Sequence, residues 1–324
     1  MKNLKKIIQF IIALACIIYI VRFFAQNKES LKLVLKLNAV TIFLVVIATI
    51  AYFFIYSLRT QIVLEKCSRK KLNYIYLFKL MVLARFLNTV FSQMGNVYRG
   101  YRLKKEYDIS YTSYISSFVS TLWMDTCFNL YFATVLILIL SPEFKIGYFT
   151  AWTIFLVIAL CVSAVPPAGN MLLGKIKIET KFLNWAHSKL TEVVSVTISN
   201  LRDIRYLGSF LLLGVSELIL TILGYYILFK GFGIILTFQA LLVFYILMSL
   251  SLFIAITPGN IGVQEIAFGF IAEQIGIGMG SGIMASIVAR IINFFIIFLM
   301  GIFFGGIRLL RESKKYPTSE DKAD

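Results

Sequence analysis

The chain has 324 residues, 59% of them hydrophobic and only 15% charged, with a formal net charge of +16. So little charge cannot cover a soluble protein of this length, and no stretch is left over for a separate soluble domain of about 100 residues. In a soluble protein the positive balance would point to nucleic acid; here the basic residues gather between apolar runs, and nucleic acid is not needed to explain them.

Seven apolar runs reach the roughly 18 residues that a membrane-crossing helix needs. They cover 7–24, 40–58, 113–140, 148–165, 206–229, 234–256 and 283–307. The first follows Met1-Lys2-Asn3-Leu4-Lys5-Lys6. Its apolar core is longer than that of a signal peptide and no small-x-small cleavage site follows, so it reads as an uncleaved anchor. Next, 74–97 is apolar but studded with Lys79, Arg85, Asn88, Gln93 and Asn96 and flanked by basic loops. It is expected to enter the membrane and return to the same side.

The piece 166–205 is the one sizeable extramembrane segment. Phe182, Trp185, Leu190 and Val194 recur there at helical spacing among Lys181, His187, Lys189 and Glu192, which predicts an amphipathic helix on the inner membrane surface, about 170–205. Gly169-Asn170-Met171-Leu172-Leu173-Gly174-Lys175-Ile176 imitates a phosphate-binding loop, but Ile176 replaces its Ser or Thr and a membrane span precedes it, so ATP hydrolysis is not expected. His187 is the single histidine, and Cys16, Cys67, Cys127 and Cys161 form no spaced pair. Neither a metal site, a disulfide nor a cofactor is predicted. Trp123, Trp152 and Trp185 are read as packing and interface residues.

Thr257-Pro258-Gly259-Asn260-Ile261-Gly262-Val263-Gln264-Glu265 interrupts the late apolar region with helix-breaking and polar residues. Such backbone is tolerated at membrane depth only when buried in protein or lining an aqueous cavity. Seven spans would leave the termini on opposite sides, so 258–274 is expected to cross or re-enter, with the glycines of 276–282 linking it to the last span. Loops 1–6, 59–71, 99–105, 166–205 and the tail from Arg308 hold 23 of the 32 Lys and Arg, against five in 25–37, 141–147 and 230–233. The positive-inside rule therefore puts both termini in the cytoplasm, and the format suits a bacterial or archaeal plasma membrane.

The expected fold is an all-α polytopic transmembrane bundle of seven or eight spans with two interrupted or re-entrant segments. It is one domain over 1–311 with a disordered tail over 312–324. Corresponding breaks near Gly95 and Gly259 suggest an inverted repeat around a midplane site, although no residue-level repeat is visible. Arg85, Asp125, Glu217, Glu265, Glu273 and Arg290 lie in or beside apolar runs. Each costs about 2.5–3.5 kcal/mol at a helix centre, so they should face the bundle and pair. Arg99, Arg102 and Arg290 are the candidates to hold a phosphate head group, with Asp125, Glu217 and Glu265 balancing charge or meeting an amine. Gly95 and Asn96 shape the early break, while Pro258, Gly259, Gly262 and Gln264 shape the late one.

Two stretches resemble the lysylphosphatidylglycerol synthase transmembrane region, also called the flippase-like domain. Pro258-Gly259-Asn260-Ile261-Gly262-Val263-Gln264-Glu265 is similar to that family's proline-glycine-x-x-glycine-x-arginine-glutamate. Gly95-Asn96-Val97-Tyr98-Arg99-Gly100-Tyr101-Arg102 resembles its glycine-glutamate-x-x-arginine stretch. Asp125 and Arg290 fall about where the family carries an aspartate and a last-helix arginine. Asn96 and Gln264 replace the family's glutamate and arginine together, so an amide–amide hydrogen bond between them is expected in place of an ion pair.

The resemblance implies a translocase moving a phospholipid or polyprenyl-linked head group between leaflets. The family's enzymes join a soluble aminoacyltransferase domain to this region; the chain ends at Asp324 without room for it, so transferase activity is not expected. The alternatives are a membrane-embedded head-group transferase related to phosphatidylglycerol lysyltransferase and an accessory scaffold for envelope lipid or polysaccharide synthesis. Assembly as a homo-oligomer is left open.

Overall fold

The computed structural model describes residues 2–68, 70–90, 94–143, 145–146, 149–173, 181–251, 257 and 260–306. The first six helices are α1 (Lys2–Gln26), α2 (Lys28–Leu35), α3 (Ala39–Glu65), α4 (Tyr74–Val90), α5 (Met94–Tyr107) and α6 (Tyr111–Leu140). Six more follow: α7 (Ala151–Leu173), α8 (Lys181–Arg202), α9 (Ile204–Gly231), α10 (Phe238–Ser251), α11 (Val263–Gln274) and α12 (Met279–Phe303). Two-residue strands, β1 (Lys145–Ile146) and β2 (Phe149–Thr150), pair antiparallel between α6 and α7. The chain is thus a helical polytopic membrane bundle, as its apolar runs require.

Local chemistry sets several helix starts. Asn38, Ser110 and Asp203 accept from the backbone N–H three residues on, at 2.7, 3.0 and 3.1 Å, satisfying donors that an α-helix leaves open. Outside the apolar region, the Tyr206 N–H and the Lys66 ammonium hold the Asp203 carboxyl below its usual range. α7 continues helically through Gly169–Leu173, where a phosphate loop would need open backbone.

Among the described residues, five helices are long and apolar enough to cross a membrane: α3, α6, α9, α12 and the stretch Ala151–Gly169 of α7. The bent pair of α1 and α2, at 88°, makes a sixth. Of the apolar run 234–256, the described part is the shorter helix α10, as far as Ser251. Residues 252–256, Pro258 and Gly259 lie outside the described residues, as does the tail over 312–324.

Contacts fix the directions. Gly280, at the start of α12, abuts Ser30 of α2 and Phe23 of α1. At its other end, Phe304 meets the Phe78 ring of α4 at 6.0 Å, and Gly301 abuts Phe86. α12 therefore runs toward the end where α3 stops and α4 begins, which carries Lys66, Lys70, Lys104 and Lys105 and is called the basic end below. α1 runs the other way, so the first and last helices have their outer termini at the same end.

Both broken segments are hairpins. α4 enters from the basic end and α5 returns to it: the Asn73 N–H donates to the Tyr107 hydroxyl at 3.3 Å, and Lys70 reaches the Glu106 carbonyl at 3.2 Å. At the tip the Gly95 N–H donates to Asn88 Oδ1 at 2.7 Å, and a β-carbon on Gly95 would run into the Ala84 carbonyl. α10 enters from the opposite end, where Gln239 donates to the Leu140 carbonyl at 3.4 Å. α11 goes back there, and its Glu273 accepts from the Met279 N–H at 2.6 Å.

The order span, amphipathic helix, span, entering helix, returning helix, span thus occurs twice, over α1–α6 and α7–α12, with the second set inverted. Packing follows the same exchange. α4 packs on α12 as α10 packs on α6, α2 packs on α12 as α8 packs on α6, and the equivalent α3 and α9 pack on each other. This is the inverted repeat that the paired breaks suggest, seen in the order of elements. α8 accordingly runs along α6 and α7 rather than lying alone on a surface: Lys189 donates to Thr112 at 2.9 Å, and Asn200 to Ser120 at 3.3 Å. Phe182 and Trp185 lie among residues whose side chains are outside the description.

This topology predicts cysteine accessibility in a background lacking the four native thiols. Leu35→Cys, Gln239→Cys and Gln274→Cys should react with an impermeant thiol reagent from one side, and Lys70→Cys and Lys105→Cys from the other. Asn260→Cys should react from neither. Labelling of position 260 from the basic side would show that α10 completes a crossing.

Candidate functional site

The late break is organised by Glu265. Residue 260 takes a left-handed conformation (φ +54°), and Gly262 follows at φ +83°, a backbone that only glycine adopts without strain. A β-carbon at Gly262 would also strike Cys16 of α1. The turn is closed by Asn260 N–H donating to the Thr257 carbonyl at 3.0 Å and by the Thr257 hydroxyl donating to the Ile261 carbonyl at 2.9 Å. Glu265 Oε2 accepts from the Gly262 N–H at 2.7 Å, capping α11 from within its first turn. Glu265 Oε1 lies 2.6 Å from Arg290 Nε. Arg290, halfway along α12, also donates to Gln264 Oε1 at 2.8 Å and to the Asn260 carbonyl at 3.4 Å. One guanidinium thus ties the tip of the hairpin to a full span.

The early break has a different chemistry. Asn96 Oδ1 accepts from Arg99 Nη2 at 3.3 Å, and Arg99 Nη1 contacts the Met81 sulfur at 3.2 Å. The Arg99 guanidinium lies 5.1 Å from the Tyr114 ring centroid, is buried, and forms no carboxylate ion pair among the described residues. Asn96 and Gln264 do not bond to each other: each amide oxygen accepts from an arginine, which offers a charge-assisted bond in place of a neutral one. Arg102 sits at the basic end, with Nε donating to the Tyr76 hydroxyl at 3.1 Å and Nη2 lying 3.4 Å from Glu106.

Arg59, the first residue of what reads in sequence as a basic loop, is buried instead, because α3 runs on for six more residues to Glu65. Its Nη2 pairs with Asp125 of α6, and its Nη1 lies 3.1 Å from Glu217 Oε2 of α9. It lies 3.9 Å above the Phe210 ring, and Gly214, one turn on, leaves room for it. Phe210, Gly214 and Glu217 share one helical face, so α9 presents a slot with a carboxylate at its end.

Two cavities adjoin these groups. The larger, about 330 Å³, is bounded by α3, α4, α9, α11 and α12. Its charged lining is Arg85 and Arg290, with Tyr52, Gln264, Ser286 and Asn293 among its polar groups. Arg85 lies 4.7 Å from the rings of both Phe53 and Tyr56, within electrostatic reach of the Tyr52 and Tyr56 hydroxyls, and pairs with no carboxylate among the described residues. The smaller, about 90 Å³, lies between α3, α5 and α6 with Arg59, Arg99 and Asp125 on its wall. Tyr56 borders it and interacts both with Arg99 of the same wall and with Arg85 of the larger cavity's wall.

The predicted residues are thereby distributed. Gln264 and Arg290 line the larger cavity, with Glu265 behind Arg290; Arg99 and Asp125 line the smaller one; Glu217 faces Arg59, and Arg102 stays near the basic end. Pro258 and Gly259 lie outside the described residues. Sequence reasoning left out Arg59 and did not give Arg85 a place in the site. The available signal for Arg59 was the apolar run Ile62-Val63-Leu64 beyond it, which continues the helix.

Among the described residues no group of three or more His, Cys, Asp or Glu could hold a metal ion. A model of the family described as the lysylphosphatidylglycerol synthase TM region matches residues 7–301. No curated protein and no solved structure matches the chain.

Glu265→Ala should strand the Arg290 charge. Breaking a buried pair costs about 3–5 kcal/mol, and the lower end, about 3, is expected because 32% of the Arg290 side chain stays exposed. The thermal midpoint of purified protein in detergent should fall accordingly, and Glu265→Gln with Arg290→Gln should recover part of it. Equal midpoints for Glu265→Ala and the unaltered protein would contradict the ion pair.

Proposed function

Because the chain belongs to the lysylphosphatidylglycerol synthase transmembrane-region family, we propose that it moves an anionic phospholipid or lipid-linked phosphate head group between leaflets. The observation that carries this reading is the larger cavity: among the described residues, Arg85 and Arg290 are the charges on its wall, and no carboxylate joins them there. A guanidinium holds phosphate oxygens through two parallel N–H donors, and Arg does this better than Lys because its fork is planar. The volume of about 330 Å³ falls within the roughly 300–1,000 Å³ typical of small-ligand sites.

Position supports the same reading. The cavity lies where α3 and α4 of one half meet α9, α11 and α12 of the other. Entering hairpins from opposite ends would let access alternate if one half rocks against the other, as in transporters built on inverted repeats. Tyr56, which interacts with an arginine of each chamber, would act as the partition, with Arg99 receiving the phosphate nearer the basic end and Arg85 holding it deeper. Asp125 and Glu217 would keep Arg59 engaged, leaving Arg85 and Arg99, together with Arg290, as the cations facing the substrate.

In proteoliposomes carrying a head-group-labelled phosphatidylglycerol, the protein should accelerate leaflet exchange. Arg85→Gln should slow that exchange about 10- to 100-fold, the loss of one charge-assisted contact of about 1.5–3 kcal/mol, while the thermal midpoint holds. Exchange that is absent across anionic lipids, or unaffected by the substitution, would overturn the proposal. A new head-group species in the extracted lipids would point instead to a transferase.

A further inference from the structure

Glu217 is buried at 8% exposure, and its two oxygens are treated unequally. Oε2 takes Arg59 Nη1 at 3.1 Å, whereas Oε1 is buried with no hydrogen-bond partner among the described residues. Arg59 must serve two carboxylates at once, since Asp125 occupies its other nitrogen. Among the described residues, the titratable or charged groups that act on Glu217 are Arg59 and Tyr52 from α3, Asp125 from α6, Arg85 from α4 and Tyr245 from α10. Arg59 is divided between two anions, and Arg85 is a second, weaker positive charge acting on Glu217.

Arg85 also faces the large cavity, and Tyr52 lines that cavity beside it. Thr221, one turn beyond Glu217, lines it as well, with its hydroxyl donating to the Glu217 carbonyl at 2.8 Å. Glu217 itself is not on the cavity wall, so a head group would act on it through charge rather than contact.

We propose that anion binding at Arg85 and protonation of Glu217 are coupled, so that a phosphate head group enters the cavity together with a proton. The inference rests on the head-group reading above and adds an energy source to it. A phosphate paired with Arg85 offsets one of the two positive charges that act on Glu217, the other, Arg59, being shared with Asp125. A proton from water then moves onto Oε1, which gives up no hydrogen bond, while Oε2 keeps its contact with Arg59. Linkage is reciprocal: if the anion favours the protonated acid, the protonated acid favours the anion. Affinity therefore rises as pH falls, by at most about tenfold per pH unit for one coupled proton. A proton gradient could drive the anion across without nucleotide.

Titration calorimetry of the purified protein tests this with dihexanoyl phosphatidylglycerol as the probe, in two buffers of different ionisation enthalpy. The unaltered protein should take up close to one proton per lipid over part of the pH range, with affinity falling toward alkaline pH. Glu217→Gln should bind without proton uptake and with a flat pH profile. Binding without uptake by the unaltered protein, or uptake that survives Glu217→Gln, overturns the coupling and leaves the head-group reading standing. No binding at all overturns both. Should Glu217→Gln fail to fold, infrared difference spectra of the unaltered protein decide: a carboxylic-acid carbonyl band must grow on adding lipid, and its absence sinks the coupling.

Discussion

Ionised side chains inside a hydrocarbon slab must pair or face a polar cavity, since each costs several kcal/mol alone. That constraint accounts for much of the interior of this bundle. Arg59, Arg85, Arg99 and Arg290 meet Asp125, Glu217 and Glu265 there, and the pairing is uneven. Arg290 shares its charge with Glu265, and Arg59 is divided between Asp125 and Glu217. Arg85 and Arg99 have aromatic faces and amide or phenol oxygens but no carboxylate among the described residues. The surplus is positive, and both unpaired cations border cavities.

The inverted order of elements explains how such charges are brought together. Two helices that stop partway bring polar backbone and short side chains to the middle of the bundle, where a continuous span would present only its flank. Arg290 then anchors the α10–α11 tip to α12, while Asn88 and Gly95 close the α4–α5 tip. The two halves are not chemical copies: Asp125 lies near the middle of α6 and Arg290 near the middle of α12, with opposite signs. Arg59 joins Asp125 of one half to Glu217 of the other, and the larger cavity is lined by both halves.

Much of this was legible in the amino-acid sequence, for physical reasons that differ by element. Apolar length marks a span, so α3, α6, α7, α9 and α12 stand out. Polar residues scattered through 74–97 between basic loops marked the α4–α5 hairpin. Hydropathy could not separate a full crossing from a half crossing in 234–256, because an entering helix buried in protein is as apolar as one in lipid. Glu265 and Arg290 were legible, not as each other's partner but as charges that must pair. Arg59 was not, since a cation at the end of an apolar run usually marks the interface, and only tertiary packing reveals that α3 continues past it. The repeat was invisible residue by residue because it is conserved in element order rather than in side chains.

The most direct test of the account is where a lipid phosphate rests. A density map of the protein in nanodiscs of phosphatidylglycerol should place a phosphate between the Arg85 and Arg290 guanidiniums, within the chamber bounded by α3, α4, α9, α11 and α12. Acyl-chain density filling that chamber, with every phosphate at the bundle surface, would contradict it.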